Sequence, residues 1–351
     1  MKILVFEYIT GGGFNKQELP DALVNEGRLM LQALLDNLRS CADQENGDGI
    51  SVVVMLDFRV NGSINTAGFD TAIIKPEHDS HEEFARLAVQ SDAVWPIAPE
   101  FDGILQALCQ TVETLGKRLL TSPACAVAVT GNKFNTYQHL KKHHIATVPT
   151  RMFTSDCQYL AQELVESSSA NPVNKAGQWL VKPIDGVGCS ESYILIDRQD
   201  FEQMHSRTGR YIIQPHMHGK KTSLSCLFKE GIGWLLCANL QQFNIINQQY
   251  HLSKIIVNYY SDISVYQDFV DNIAQALPEL WGYAGIDLIE TPEQILVLEI
   301  NPRLTTSFVG IYAALGINVA ENILQLLKGM PTLKAVCNQP ITVKVNQNES
   351  D

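Results

Sequence analysis

No run of about 18 apolar residues occurs in the 351-residue chain, so a membrane-crossing helix is not expected. The opening MKILVFEYITGGG has one lysine and only a short apolar run; it reads as a first β-strand and not as a signal peptide. Basic residues are scarce: 26 Lys and Arg against 38 Asp and Glu leave a net charge of −12. Such a charge argues against nucleic-acid binding, which needs a basic footprint, and against attachment to a membrane surface. CxxC pairs are absent. The eight cysteines (Cys41, Cys109, Cys125, Cys157, Cys189, Cys226, Cys237 and Cys337) are scattered, as free thiols in a reducing cytosol would be, and a cytoplasmic protein is expected. Nine histidines include His143-His144 and His216-x-His218, but no third or fourth ligand stands at zinc-site spacing. GxGxxG is missing after the first strand, which removes NAD-type dinucleotide enzymes. What is present is ordinary for a globular protein, 45% hydrophobic and 18% charged residues. The length suits about two or three domains.

Polarity patterns divide the chain. Residues 3–8, 51–58, 71–75, 93–97 and 118–121 read as strands, and residues 21–39, 81–90 and 104–115 as helices. Alternation of this kind indicates an open, mostly parallel α/β sheet. The Gly11-Gly12-Gly13 run follows the first strand, where such folds bind ligands. It is either a tight turn or a set of backbone N–H groups for an anion such as a substrate carboxylate. From Ser122 the pattern changes to two helices ending near His144, an extended stretch at 145–149, a helix at 156–166 and a polar loop to 177. Strands follow at 179–182, 192–196, 211–214, 224–229 and 234–240, with helices at 268–277 and 320–327 and a polar, disordered tail. No internal repeat is visible.

Residues 285–303, GIDLIETPEQILVLEINPR, read as a β-hairpin. Ile286, Leu288, Leu296, Leu298 and Ile300 make one apolar face, and Asp287, Glu299 and Asn301 share the other. A three-residue loop, or a bulge, would set Asp287 directly opposite Glu299. Like charges facing across a ladder are destabilising unless a cation sits between them. Three oxygen side chains ending at Arg303 suit a hard divalent cation that bridges to phosphates. The alternative is a half-buried hairpin with a solvated polar face.

Four features now stand in order. Lys133 lies near a helix start, and Lys182 ends an apolar strand before the loop carrying Asp185, Gly186 and Gly188. A strand then runs from Tyr211 into the polar segment ending at His218, and the acidic hairpin comes last. This order and spacing resemble the ATP-grasp superfamily over residues 122–330, and the residues before them resemble the α/β domain that commonly precedes it. EINPRLTTSFVG is similar to the branch that includes tyramine–glutamate ligase of methanofuran-type cofactor synthesis. The fold implied is an N-terminal open parallel α/β sheet domain (1–121), then an ATP-grasp fold of two α+β subdomains clasping ATP. These are a small one with the glycine loop (122–207) and a C-terminal one with the metal site (208–335), followed by a tail (336–351).

The resemblance also implies roles. Lys133 and Lys182 would neutralise the α- and β-phosphates, and Gly186 and Gly188 would let a loop close its amides over them. Gln214, Pro215, His216 and Met217 would meet the adenine edge, with Gln214 where glutamate is common. Lys221 stands near the usual ribose-binding glutamate, and Gly285 stands where many members carry an arginine, a charge that Lys254 or Arg303 could supply. Asp287, Glu299 and Asn301 would ligate Mg²⁺, for which Mn²⁺ could substitute. Arg303 and Lys182 are the implied catalytic residues, Arg303 stabilising an acyl-phosphate. Thr305, Thr306 and Ser307 would contact the acyl substrate or cap a helix. No general base stands out.

The reaction implied is ATP-dependent ligation of an amino-acid carboxylate, such as that of L-glutamate, to an amine such as tyramine. Small molecules are then the partners, and a homodimer is left open. An amino-acid acceptor is the second reading, and an ATP-binding regulatory protein without turnover the third. Paired carboxylates argue against the third, because a retired site has no need of them.

Overall fold

The computed structural model describes residues 1–42, 49–154, 178–186 and 191–345. Five strands form the first sheet: β1 (Lys2–Glu7), β2 (Ser51–Asp57), β3 (Asp70–Ile74), β4 (Ala93–Ile97) and β5 (Arg118–Leu119). They pair in parallel in the order β3-β2-β1-β4-β5. Helices α1 (Asp21–Ala42), α2 (Ser80–Val89) and α3 (Ile104–Thr114) cover it. Ile3 and Val5 of β1 face Leu31, Leu34 and Leu38 of α1, whereas Leu4 and Phe6 face Phe84 of α2 and Leu108 of α3. Cover on both faces is why β1 is a continuous apolar run and does not alternate. The strand order reverses between β1 and β4, which opens a crevice beyond their carboxyl ends.

Gly27 lies inside α1, where glycine normally costs about 1 kcal/mol relative to alanine. A Cβ there would stand 2.6 Å from Glu7 Oε2 at the end of β1. Gly27→Ala should therefore destabilise the protein despite its better helix propensity, a sign that urea denaturation would read directly.

The second sheet is antiparallel and has ten strands. It comprises β6 (Arg151–Met152), β7 (Trp179–Pro183), β8 (Tyr193–Leu195), β9 (Tyr211–Pro215), β10 (Lys220–Lys229), β11 (Ile232–Ile246), β12 (Gln249–Val257), β13 (Gly282–Glu290), β14 (Ile295–Asn301) and β15 (Ile341–Lys344). The order is β14-β13-β10-β11-β12-β8-β7-β9-β6, with β15 also on β12. Helices α4 (Ala124–Thr130) and α5 (Lys133–Lys142) lead into it. Helices α6 (Arg198–His205), α7 (Ser264–Ala276), α8 (Phe308–Leu315) and α9 (Val319–Leu326) follow. Phe201 and Met204 of α6 pack on Val181, Leu195 and Ile213, and Val270 and Ile273 of α7 pack on Leu224, Phe228 and Ile286. The strands fall into two α+β halves that meet at the Gln249–Tyr193 pair; β9 pairs with β7 and β6, so the first half extends past the expected boundary at 207. Phe308 and Ile311 of α8 and Ile323 of α9 share a core with α1, and Val319 N donates to Asn37 Oδ1 at 3.1 Å.

Several expectations need correction. The stretch read as a tail contributes β15, and α6 and α8 were not foreseen. The expected helix at 156–166, the loop to 177, Gly188 and the end of the tail lie outside the described residues. No single described helix is long and apolar enough to cross a membrane.

The hairpin does set Asp287 opposite Glu299, but through a bulge. Its loop spans four residues, since Glu290 pairs with Ile295; Leu288 pairs with Val297 and Asp287 with Glu299, leaving Leu298 as the extra residue. The bulge reverses the parity of β14. Val297 therefore joins Ile286, Leu288 and Ile300 in the core under α7, while Leu296 and Leu298 turn to the opposite face beside Ile289 and Met217.

Candidate active site

A cleft of about 750 Å³ runs between β7 and β9 on one side and β13 and β14 on the other. Its inner end is apolar, walled by Val148, Leu180, Met217, Ile289 and Leu298. Gln214 is the polar group there. Its Nε2 donates to Thr150 Oγ1 at 2.8 Å, and that hydroxyl donates in turn to Val148 O at 2.8 Å, which fixes the amide's orientation. Gln214 Oε1 is then left buried with no partner. An unpaired buried acceptor costs about 1–3 kcal/mol, and a ligand amine entering the slot would remove that cost. His216 N donates to Gln178 O, so this backbone group of the expected adenine edge is already engaged.

The outer end is charged. Asn132 caps α5 by accepting from Phe134 N and Asn135 N, which places Lys133 at the first helical position. Lys133 Nζ donates to Gly186 O and stands 3.1 Å from Glu299 Oε2. Lys182 comes in from β7, paired with Ile212, and lines the same space. Gln241 Nε2 donates to Asp287 Oδ1 at 3.0 Å, and Asn301 Nδ2 reaches Asp287 Oδ2 at 3.4 Å. Burial and then the facing Glu299 charge push the Asp287 carboxyl well above the usual carboxylate range. Burial would raise Glu299 too, but Lys133 and Lys182 override it and hold Glu299 low.

Among the described residues no group of three or more His, Cys, Asp and Glu forms a full metal cage. Two facing carboxylates and an amide suit magnesium, which takes few protein ligands and completes its shell with water and phosphate oxygens. The high proton affinity of Asp287 fits this, since a carboxylate pair that retains a proton is one that a divalent ion would neutralise better.

Other predicted residues lie elsewhere. Lys254 pairs with Gln242 on β11 and so shares its face, whereas the neighbouring Gln241 lines the cleft; Lys254 faces away and does not supply the expected charge. Gly11 N donates to Glu7 O and Gly13 N to Tyr8 O, so these amides form a tight turn and not the anion cradle envisaged. Added Cβ atoms at Gly11 and Gly13 would strike the Phe6 and Tyr8 rings, which is why glycine stands there. Thr306 Oγ1 donates to Glu26 Oε2 at 2.6 Å, Thr305 pairs with the Tyr283 hydroxyl, and Ser307 meets Ser223. Ser307 precedes α8 without a side-chain capping bond. Arg303 binds Glu100 through two bonds, Nε–Oε1 at 2.9 Å and Nη2–Oε2 at 2.8 Å, and lines a separate crevice with Glu7 and Glu26.

Sequence reasoning missed an aromatic wall of the cleft. Lys221 Nζ lies 4.3 Å from the Tyr250 ring centre and 5.6 Å from that of Phe243, and so helps build this wall where a ribose-binding carboxylate was looked for. Tyr250 and Phe243 flank the tip of the β11–β12 hairpin, and nothing in their local pattern marks them as site residues. His216 joins the wall, with Nε2 2.6 Å from Tyr250 Oη and Nδ1 2.9 Å from Gln178 Oε1. Burial, with His218 and Lys221 beside it, pushes His216 down to about 4 from its usual 6.5. Above pH 6.5 both folded and unfolded chains hold this imidazole neutral, so it contributes nothing to pH dependence. As pH falls from 6.5 toward 4, only the unfolded chain gains the proton, and stability declines. Melting temperatures from about two pH units below the usual histidine value to about one above it should fall less steeply toward acid for His216→Gln than for the parent.

An open parallel sheet domain placed before two antiparallel α+β halves defines a class of enzymes that clasp ATP. The profile of the ATP-grasp domain matches residues 130–307, and that of a pre-ATP-grasp domain matches residues 50–127. The chain belongs to the ATP-grasp family, and it is a ligase that joins a carboxylate to an amine. It is 23% identical over 311 residues to tyramine–L-glutamate ligase of Methanocaldococcus jannaschii, covering 88% of this chain and 84% of the relative. The enzyme of the same name from Methanocaldococcus fervens is also 23% identical, covering 99% and 98%. An ATP-grasp superfamily protein from Archaeoglobus fulgidus superposes with a TM-score of 0.67 at 21% identity, covering 98% of this chain and 92% of the other.

Proposed function

We propose that this ligase activates the side-chain or main-chain carboxylate of L-glutamate and joins it to tyramine or a close relative. The observation that carries the reading is the convergence of Lys133, Lys182, Asp287 and Glu299 at one end of a cleft whose other end is an apolar slot. The two named relatives, matched along most of their length, point to the substrates. Adenine fits the slot with its amino group toward Gln214 Oε1, and the phosphates lie toward Lys133 and Lys182. Gly186 offers its backbone at the same place. Asp287, Glu299 and Asn301 would hold Mg²⁺, or Mn²⁺ in its place, which when bound neutralises the triphosphate.

The protein's own contribution is positioning and charge. Lys133 and Lys182 draw the triphosphate into line, and the cleft's apolar walls strengthen each of these interactions by excluding water. The donor carboxylate attacks the γ-phosphorus and ADP departs with the electron pair of the broken P–O bond. The amine then attacks the acyl carbon of the resulting acyl-phosphate, and inorganic phosphate leaves. Arg303, close enough to influence Glu299, is the positive group at this end beyond the two lysines. The division at 121 follows the same reading, with the substrate domain before it and the nucleotide clasp and metal-bearing half after it; β9, beyond 207, goes with β6 and β7. The free cysteines among the described residues fit a cytoplasmic location.

ADP release with Mg²⁺ and L-glutamate, with and without tyramine, tests the proposal. Amine-stimulated turnover is expected. Stimulation by amino acids instead of amines would transfer the reading to dipeptide formation, and no stimulation by any acceptor would remove the ligation reading altogether.

A further inference from the structure

A crevice opens at the carboxyl ends of β1 and β4, between α1 and Arg303. It sits at the strand-order reversal of the first sheet, where open α/β sheets hold their ligands. Its walls are apolar, from Leu23 and Met30 of α1 and from Ile97 and the residues after it. Two carboxylates project into this setting. Glu7 accepts from Thr10 N at 2.7 Å and Thr10 Oγ1 at 2.6 Å, and Glu26 accepts from Thr306 Oγ1.

Neither carboxylate has an ion-pair partner among the described residues, and the cation lining the crevice, Arg303, is already bound at both edges by Glu100. Arg303 therefore faces three acidic side chains in this region while bonding only that of Glu100. Burial raises the proton affinity of both Glu7 and Glu26. Gly27 keeps α1 bare where it passes the Glu7 carboxylate, so the helix leaves that group its place.

We infer that this crevice seats the acceptor amine, with Glu7 and Glu26 as the counter-charge to its ammonium group and the apolar walls holding its hydrocarbon or aryl body. The inference rests on the ligase reading above and adds the second substrate's seat to it. A dicarboxylic donor does not suit the crevice, because it would bring more negative charge to a place whose arginine is already committed. Arg303 lines the crevice and follows β14, which carries Glu299 and ends at Asn301, so the crevice adjoins the charged end of the ATP cleft. An amine seated here therefore lies beside the place where the acyl-phosphate would form.

Calorimetric titration with tyramine in the presence of Mg²⁺ and a non-hydrolysable ATP analogue tests the assignment. The parent protein should bind tyramine, and Glu26→Gln should weaken binding at least tenfold. Leu23→Trp, which fills the crevice without touching a carboxylate, should weaken it similarly; nucleotide binding checks that each variant is folded. Failure of the parent to bind tyramine, or unchanged affinity in both variants, would overturn the assignment. Hydroxamate formation by the parent from L-glutamate, ATP and hydroxylamine reports the ligase reading separately. Amine binding without hydroxamate would sink that reading and leave the amine seat standing, whereas hydroxamate without amine binding would do the reverse.

Discussion

Glu299→Gln should lower ADP release by roughly 10²–10³-fold or more while the protein stays folded. The substitution keeps the shape of the side chain and its place opposite Asp287 in the ladder, but removes the charge that Lys133 and Lys182 hold ionised. Folding should not suffer, because the change also relieves two carboxylates facing each other in a buried site. Lys133 loses its ion-pair partner but retains its bond to Gly186 O. The deficit should therefore appear in turnover and not in melting temperature. Steady-state ADP release beside circular dichroism decides it, and an active, folded Glu299→Gln variant would put the metal site elsewhere.

Arg303→Met should have the largest effect on stability. Its side chain is 11% exposed and that of Glu100 6%, and two parallel bonds join them. Removing the arginine strands a buried carboxylate in a crevice that already holds Glu7 and Glu26, at a cost of about 3–5 kcal/mol. Arg303→Lys would not restore the planar double bond, so it should recover only part of the loss. Adding Glu100→Gln to Arg303→Met should recover more than additivity allows, because the second change removes the stranded charge. Urea denaturation of the single and double variants measures both. A loss below about 1 kcal/mol would mean that the pair behaves like an exposed salt bridge.

Much of the fold was legible because its patterns are local. Strand β4 was placed to the residue from an apolar run, and most other strands of the first sheet to within a residue or two. The acidic hairpin was legible because a period of two puts Asp287 and Glu299 on one face. Register was less so. A loop of three residues and a loop of four with a bulge give the same facing pair, and only the latter sends Leu298 to the cleft, with Leu296 packed beside Ile289 and Met217. Lys254 failed for a related reason: its face depends on its pairing with Gln242, which its own segment does not reveal. The helix α8 and strand β15 are short and draw their stability from packing on β12 and α1, so their own residues carried little signal.

By itself the sequence determined most of the order of elements, the two lysines and two carboxylates that meet in one cleft, and the family to which the chain belongs. Those depend on residue type and spacing along one strand or helix. Tertiary structure alone decided what Arg303 does, because its partner Glu100 is 203 residues away. It also decided that Glu7 and Glu26 share a crevice and that the Gly11 and Gly13 amides are used within their own turn. Such outcomes depend on which surfaces meet after the chain has folded, and a one-dimensional pattern carries no record of that meeting.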